Sequence, residues 1–258
     1  MRRKILTAAG RMAQLQGDYE RASKLYEEGL AEARAAGDLP QMALSGRGLA
    51  ATAYLQGDFK SARRFIEEAL LISRELNDRF AIAASLNRLG DIARMEGNYA
   101  VAHKLFEESI AIFRQLGDKN AVSNSLNNLG AVAFAVGEYR TAGAYFAEAL
   151  TTAQEFGNKI VISYSLNGVA ALAAECGDPK RAALLAGASK ELHHSIGFQI
   201  EPAERRFRDA YLAALREALD EATLSVAFEE GRKLKLDEAI TLALTFACQG
   251  LPIDIRQT

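Results

Sequence analysis

The chain has 258 residues, 49% of them apolar and 25% charged, with a formal net charge of −2. That balance is ordinary for a folded soluble domain and excludes a global basic field of the kind that holds nucleic acid. No apolar run approaches the roughly 20 residues a membrane-spanning helix needs.

The basic start, Met1-Arg2-Arg3-Lys4, is followed by Arg11, Gln14, Gln16 and Asp18 rather than an apolar core. A signal peptide is therefore not expected, and the chain reads as cytoplasmic. Cys176 and Cys248 form no motif and read as two structural thiols.

From here the chain repeats. Gly17, Gly57, Gly97, Gly137 and Gly177 lie 40 residues apart, opening G-D-Y-E-R-A, G-D-F-K-S-A, G-N-Y-A-V-A, G-E-Y-R-T-A and G-D-P-K-R-A. A fixed period of this size marks a stack of supersecondary units, each hiding its apolar face against its neighbours. Within residues 41–78, an Ala- and Leu-rich stretch to Gln56 predicts one helix. Gly57-Asp58 breaks it, glycine by ending a helix and aspartate by capping the next. Phe59, Ala62, Phe65, Ile66, Ala69 and Leu70 recur at helical spacing and predict a second helix to about Leu76. Asn77-Asp78 ends it, as Gly37-Asp38, Gly117-Asp118, Gly157-Asn158 and Gly197 do elsewhere. Two breaks per period give two antiparallel helices per unit. Five units follow: about 1–38, 39–78, 79–118, 119–158 and 159–198.

Small residues keep register where helices must approach. The first helices carry Gly10, Ala50, Gly90, Gly130 and Ala170, and the second helices carry Ala22, Ala62, Ala102, Ala142 and Ala182. Tyr26, Ile66, Phe106 and Phe146 fill the gap one turn on, whereas the fifth unit has Ala186 there and Pro179 after its turn.

After Gly197 the period is lost. Pro202 opens a helix to about Leu219, a second covers about Glu221–Lys233, and a third starts near Asp237, a candidate cap, and runs to about Cys248 before Gly250-Leu251-Pro252. Residues 199–258 are expected to cap the last exposed apolar face.

This pattern resembles the tetratricopeptide repeat. Gly130, Gly137, Ala142, Phe146 and Ala149 match it throughout; Gly90, Gly97, Ala102 and Phe106 match with Ser109 in the last Ala place. The family's large residue early in the first helix corresponds to Leu6, Leu86, Leu126 and Leu166, but to Gly46 in the second unit. Long units of this type are similar to those of kinesin light chains and bacterial signalling proteins. The resemblance covers about residues 2–198 and implies an all-α, right-handed solenoid of antiparallel helix pairs. Separately, Arg181–Ser189, Glu204-Arg205-Arg206, Phe228–Lys233 and Leu236–Ile240 resemble the tail of LuxR-type and related ATPase regulators, in which a nucleotide-binding switch precedes a repeat sensor. The present chain lacks G-x-x-x-x-G-K-[ST] and shows no clear helix-turn-helix.

In this family the first helices line the concave face. Taking residues away from the small-residue seam as exposed gives a candidate binding face of Arg47, Tyr54, Asn87, Arg88, Asp91, Arg94, Asn124, Asn127, Asn128, Phe134, Tyr164 and Asn167. Asn87, Asn127 and Asn167 share one register. An amide both donates and accepts, so such a ladder suits an extended peptide backbone; it is equally what duplication of a helix-bridging asparagine leaves behind. The arginines suit acidic side chains or a carboxylate; they are equally a solvated face balanced by Asp91 and Glu96.

Other patterns carry less. Gly46-x-Gly48-x-x-Ala51 imitates a dinucleotide fingerprint but lies inside a predicted helix. His193 and His194 are adjacent rather than one turn apart, and His103 has no neighbouring ligand. Neither a metal, a cofactor nor an enzymatic activity is expected. The expected role is recognition of a protein or peptide segment, as the sensor or interaction part of a bacterial signalling or transcription regulator; a small-molecule effector sensor is the alternative. Direct nucleic-acid or membrane binding is not expected.

Overall fold

A computed structural model describes residues 1–197 and 200–249, the last two without side chains; the Cys248 thiol and the Gly250-Leu251-Pro252 stop lie outside the described residues. The described residues form helices and links without strands: α1 Arg2–Leu15, α2 Tyr19–Ala35, α3 Leu39–Leu55, α4 Phe59–Glu75, α5 Arg79–Met95, α6 Tyr99–Leu116, α7 Lys119–Ala135, α8 Tyr139–Glu155, α9 Lys159–Glu175, α10 Pro179–Ile196, α11 Pro202–Ala218, α12 Glu221–Lys233 and α13 Leu236–Gln249. The all-α repeat solenoid anticipated from the 40-residue period is the fold found. The chain gathers into two compact units, Met1–Ile112 and the part from Phe113 onward, dividing within α6.

The breaks work as their residues require. Gly57 has φ +82°, in the left-handed region, and Asn77 takes the same role at φ +52°. The next residue caps the following helix: the Asp58 carboxylate accepts the Ser61 N–H at 3.0 Å, and Asp18, Asp38, Asp78, Asp118, Asn158 and Asp178 do likewise. Glu138, one methylene longer, makes no such bond. The expected cap at Asp237 is corrected. The Lys235 carbonyl accepts the first helical bond of α13, and Glu238 reaches back to the Lys235 N–H at 2.9 Å, which leaves Asp237 in the first turn.

Packing inside the first unit centres on Ala13, Ala22, Tyr26, Leu30 and Leu49. The Tyr26 ring lies between Gly10 of α1 and Gly48 of α3; a Cβ added there would meet the ring at 3.1 and 2.3 Å. Gly48, part of the apparent dinucleotide motif, is therefore a packing glycine. In the second unit Phe146 lies in the same way between Gly130 of α7 and Gly168 of α9, at 2.6 and 2.4 Å. Ser109, in the family's alanine place, is fully buried because its hydroxyl donates to the Ala83 carbonyl at 2.9 Å, and Ser189 donates to Ser163 at 2.8 Å. Surface ion pairs recur with the repeat. Arg34–Glu68 (2.5 Å) and Arg74–Glu108 (3.9 Å) join α2 to α4 and α4 to α6 in the first unit, and Arg114–Glu148 (2.9 Å) occupies the matching positions in the second.

The non-repeating helices divide their work. The helix packed along α10 is α12, not the sequence-adjacent α11; α13 packs on α8, α9 and α10. Gly187 of α10 and Gly231 of α12 face each other's backbone: an added Cβ would lie 2.1 Å from the Phe228 carbonyl oxygen and 2.0 Å from that of Leu184. Meanwhile α11 leaves the stack and lies against α9.

Candidate functional site

The first-helix face of the first unit is built on α3 and α5. Arg88 lies over the Tyr54 ring, its guanidinium carbon 4.7 Å from the ring centre, and pairs with Asp91 at 3.1 Å. Tyr54 also meets Phe59, with ring centres 5.7 Å apart. Burial pulls the Arg47 guanidinium below its usual pKa, and Asp78 works against that; the arginine stays charged. Arg47, Asn87 and Arg88 are half-buried, and Tyr54, Asp91 and Arg94 are buried. Of the two carboxylates thought to balance the arginines, Asp91 does so, while Glu96 pairs outward with Arg63 at 2.6 Å.

In the second unit the corresponding residues are taken up by the chain itself. The Asn127 carbonyl oxygen accepts the Ser165 hydroxyl at 3.2 Å. The Tyr211 hydroxyl of α11 donates to the Asn167 carbonyl oxygen, and burial pushes the Tyr211 phenol well above its ordinary pKa, so it remains a neutral donor. Phe207, one turn earlier on α11, meets Phe134 edge-on at 5.3 Å and lies 6.4 Å from Phe146. Tyr164 stacks with His193, centres 6.4 Å apart, and the Glu201 backbone N–H reaches its hydroxyl at 3.5 Å. The first-helix face of this unit is thus covered by α11.

The exposure assumed from register is corrected at seven of the twelve positions. Tyr54, Asp91, Arg94, Asn127, Asn128, Tyr164 and Asn167 are buried; Arg47, Asn87, Arg88, Asn124 and Phe134 are half-buried. In the second unit Phe207 and Tyr211 of α11 lie against Phe134 and Asn167, while Asn127 is held by Ser165 of α9. Asn127 and Asn167 are brought to neighbouring helices, but both amide oxygens serve internal donors. Phe207 and Tyr211 were missed, because no periodic signal places a non-repeating helix. Among the described residues no group of three or more His, Cys, Asp or Glu converges as a metal site, and His103 pairs with Glu107 at 3.2 Å. Cys176 is half-buried, with burial and Glu175 raising its thiol pKa, which keeps it in the inert form. No helix among the described residues is long and apolar enough to cross a membrane.

Tetratricopeptide repeat models match residues 5–40, 38–115 and 122–155. Among solved structures, the chain is similar to BtubC (BKLC) from P. vanneervenii, with 20% identity over 93% of this chain and 96% of that one and a TM-score of 0.61. A putative kinesin light chain repeat protein of Podosopora anserina is 18% identical over 75% of this chain and 95% of that one, with a TM-score of 0.57. The apo form of RapI is 15% identical over 84% of both chains, with a TM-score of 0.61. A comparison with curated proteins gave no match. At these identities the structural likenesses establish the fold.

Proposed function

Because the chain is a tetratricopeptide repeat protein, and that fold is an interaction scaffold, we propose that it recognises an acidic peptide or protein segment on the first-helix face of its first unit, without chemistry of its own. The observation that carries this reading is the Arg88 guanidinium, aligned over Tyr54 and by Asp91, with Arg47 and Asn87 half-buried on the first helices of the same unit. A guanidinium held in this way suits a carboxylate, Arg47 adds a second positive charge to the same unit, and the Asn87 amide suits a peptide backbone. The longer-range role is as the sensor or interaction part of a bacterial signalling or transcription regulator in the cytoplasm. The tail resemblance over about residues 180–245 and the repeat architecture support it.

A fluorescence-anisotropy screen tests the reading with labelled Asp/Glu-containing peptides against their Asn/Gln counterparts. Acidic peptides should bind, and Arg47→Lys with Arg88→Lys, which keep the charges but lose the bidentate fork, should weaken them at least tenfold in a variant that still melts cooperatively. Equal binding of acidic and neutral peptides, or indifference to both substitutions, defeats it.

A further inference from the structure

The second unit contains a cavity of about 890 Å³ walled by α10, α11 and α12, with Asn167 of α9 on its lining. Its origin lies in the repeat itself. The position that holds Tyr26, Ile66, Phe106 and Phe146 in the first four repeats is Ala186 in the fifth, and Ala186 lines the cavity. The missing ring is not replaced from outside: α12 is drawn tightly onto α10 by the Gly187–Gly231 crossing, while α11 is held on α9 through Tyr211 and Asn167. The two helices are anchored to different partners, and the wedge between them stays open. Leu212, Leu219, Leu224 and Phe228 face this space only half-buried. Apolar surface left partly wet in a concavity of this size is what a small apolar molecule covers.

The polar groups give that molecule a polarity. Asn167, 7% exposed, has its amide oxygen occupied by Tyr211, which leaves its amide N–H groups as donors at the wall. Of the lining carboxylates, Asp209 pairs with Arg208 and Glu229 with Arg232. Among the described residues, Lys190 and Arg216 have no ion pair; Lys190 lies 5.3 Å from the centre of the Phe228 ring, beside the apolar wall. Glu221 is the one lining acid that stands against these two cations. Cations without an ion pair, set among leucines and a phenylalanine, suit a ligand with an apolar body and an anionic head.

We infer that this cavity is a binding site for a small amphipathic carboxylate, distinct from the peptide face of the first unit.

Isothermal titration of the full chain tests this with decanoate, decanol and decyltrimethylammonium, each below micelle formation. Decanoate should bind saturably and at least tenfold tighter than the cation of equal chain length. Lys190→Gln with Arg216→Gln, both at exposed positions, should weaken decanoate at least fivefold and leave decanol unchanged. Ser225→Trp, an exposed lining position, should abolish binding of both. Absence of saturable decanoate binding, equal affinity for the cation, or binding that survives Ser225→Trp in a folded variant overturns the assignment.

Discussion

Replacing Gly231 by alanine adds one methyl group where the structure has no room for it. The added Cβ would lie 2.0 Å from the Leu184 carbonyl oxygen and 2.7 and 2.9 Å from the carbonyl carbon and Cα of the same residue. All three atoms are backbone, so no side-chain rotation relieves the contact, and α12 must retreat from α10 by more than 1 Å. Overpacking of this kind costs ~1–3 kcal/mol, and a backbone obstacle puts it at the upper end. Alanine's better helix propensity returns at most ~1 kcal/mol. The net expectation is a loss of about 2 kcal/mol, or roughly 4–8 °C in the melting temperature of a chain this size. Hydrogen exchange should localise the loss to α12, whose Arg232–Glu191 pair at 2.8 Å parts as the helix moves. Gly46→Ala is the control: its Cβ would meet Ala69 Cβ at 3.4 Å and the Phe65 carbonyl at 3.6 Å, ordinary contacts, so only the propensity gain should remain. If Gly231→Ala melts at or above the wild type, the close-crossing argument is wrong.

Four further outcomes follow from the same structure. Ala102 is fully buried in the first unit, so Ala102→Arg should cost at least ~3 kcal/mol through overpacking and an unpaired charge, and a circular-dichroism melt like the wild type's would refute the placement. Glu138→Asp restores the cap that the other repeats have and should raise stability by ~0.5–1 kcal/mol in a denaturant titration; a lower midpoint would count against the cap geometry. Tyr211→Phe leaves the Asn167 carbonyl oxygen buried without its donor, at a cost of ~1–3 kcal/mol, seen as faster exchange of α11 amides. Asp58 is held below its ordinary pKa by its bonds to the Ser61 hydroxyl and N–H, and Asp38 by its bond to Arg3. A carboxylate lowered on folding adds stability above its unfolded pKa, near ~4, and loses it as pH falls through the lower folded value. Melting temperature should therefore drop below about pH 4, and Asp58→Asn, which keeps an acceptor without a charge, should flatten that drop; an unaltered acid limb would speak against it.

The repeats were legible because each carries its own local grammar. Gly57-Asp58 ends one helix and caps the next through atoms within a few residues of one another, so the sequence alone marks the break. Tyr26 and Gly10 announce their contact by recurring as Phe146 and Gly130. The Arg34, Arg74, Arg114 and Glu68, Glu108, Glu148 series was equally periodic, but a long exposed side chain can reach several partners, so the pairing needs the packed helices to fix it. What periodicity could not show was the course of α11. Its ends are visible in Pro202 and Asp220, but its partners, Phe134 and Asn167, are set by tertiary packing. The register of the first helices told which side they turn inward; it could not tell that a later segment would lie on that side. The absent ring at Ala186 was visible as a departure from the pattern, but the space it leaves depends on where α12 docks.

The aromatic ring held between two glycines also makes the chain its own ruler. With no side chain on either flank, the gap between the glycine backbones of α1 and α3, and of α7 and α9, is filled by one ring, a dimension that neither rotamer choice nor solvent alters. A duplicated segment that copies ring and glycines together copies its spacing as well, so a new step fits its neighbour without adjustment. In the second repeat the corresponding residues are Ile66 and Ala50, and a branched aliphatic chain is a softer gauge than a flat ring. Under mechanical load that step should yield first, and variation in the gauge residue is the simplest way for such a stack to change its pitch.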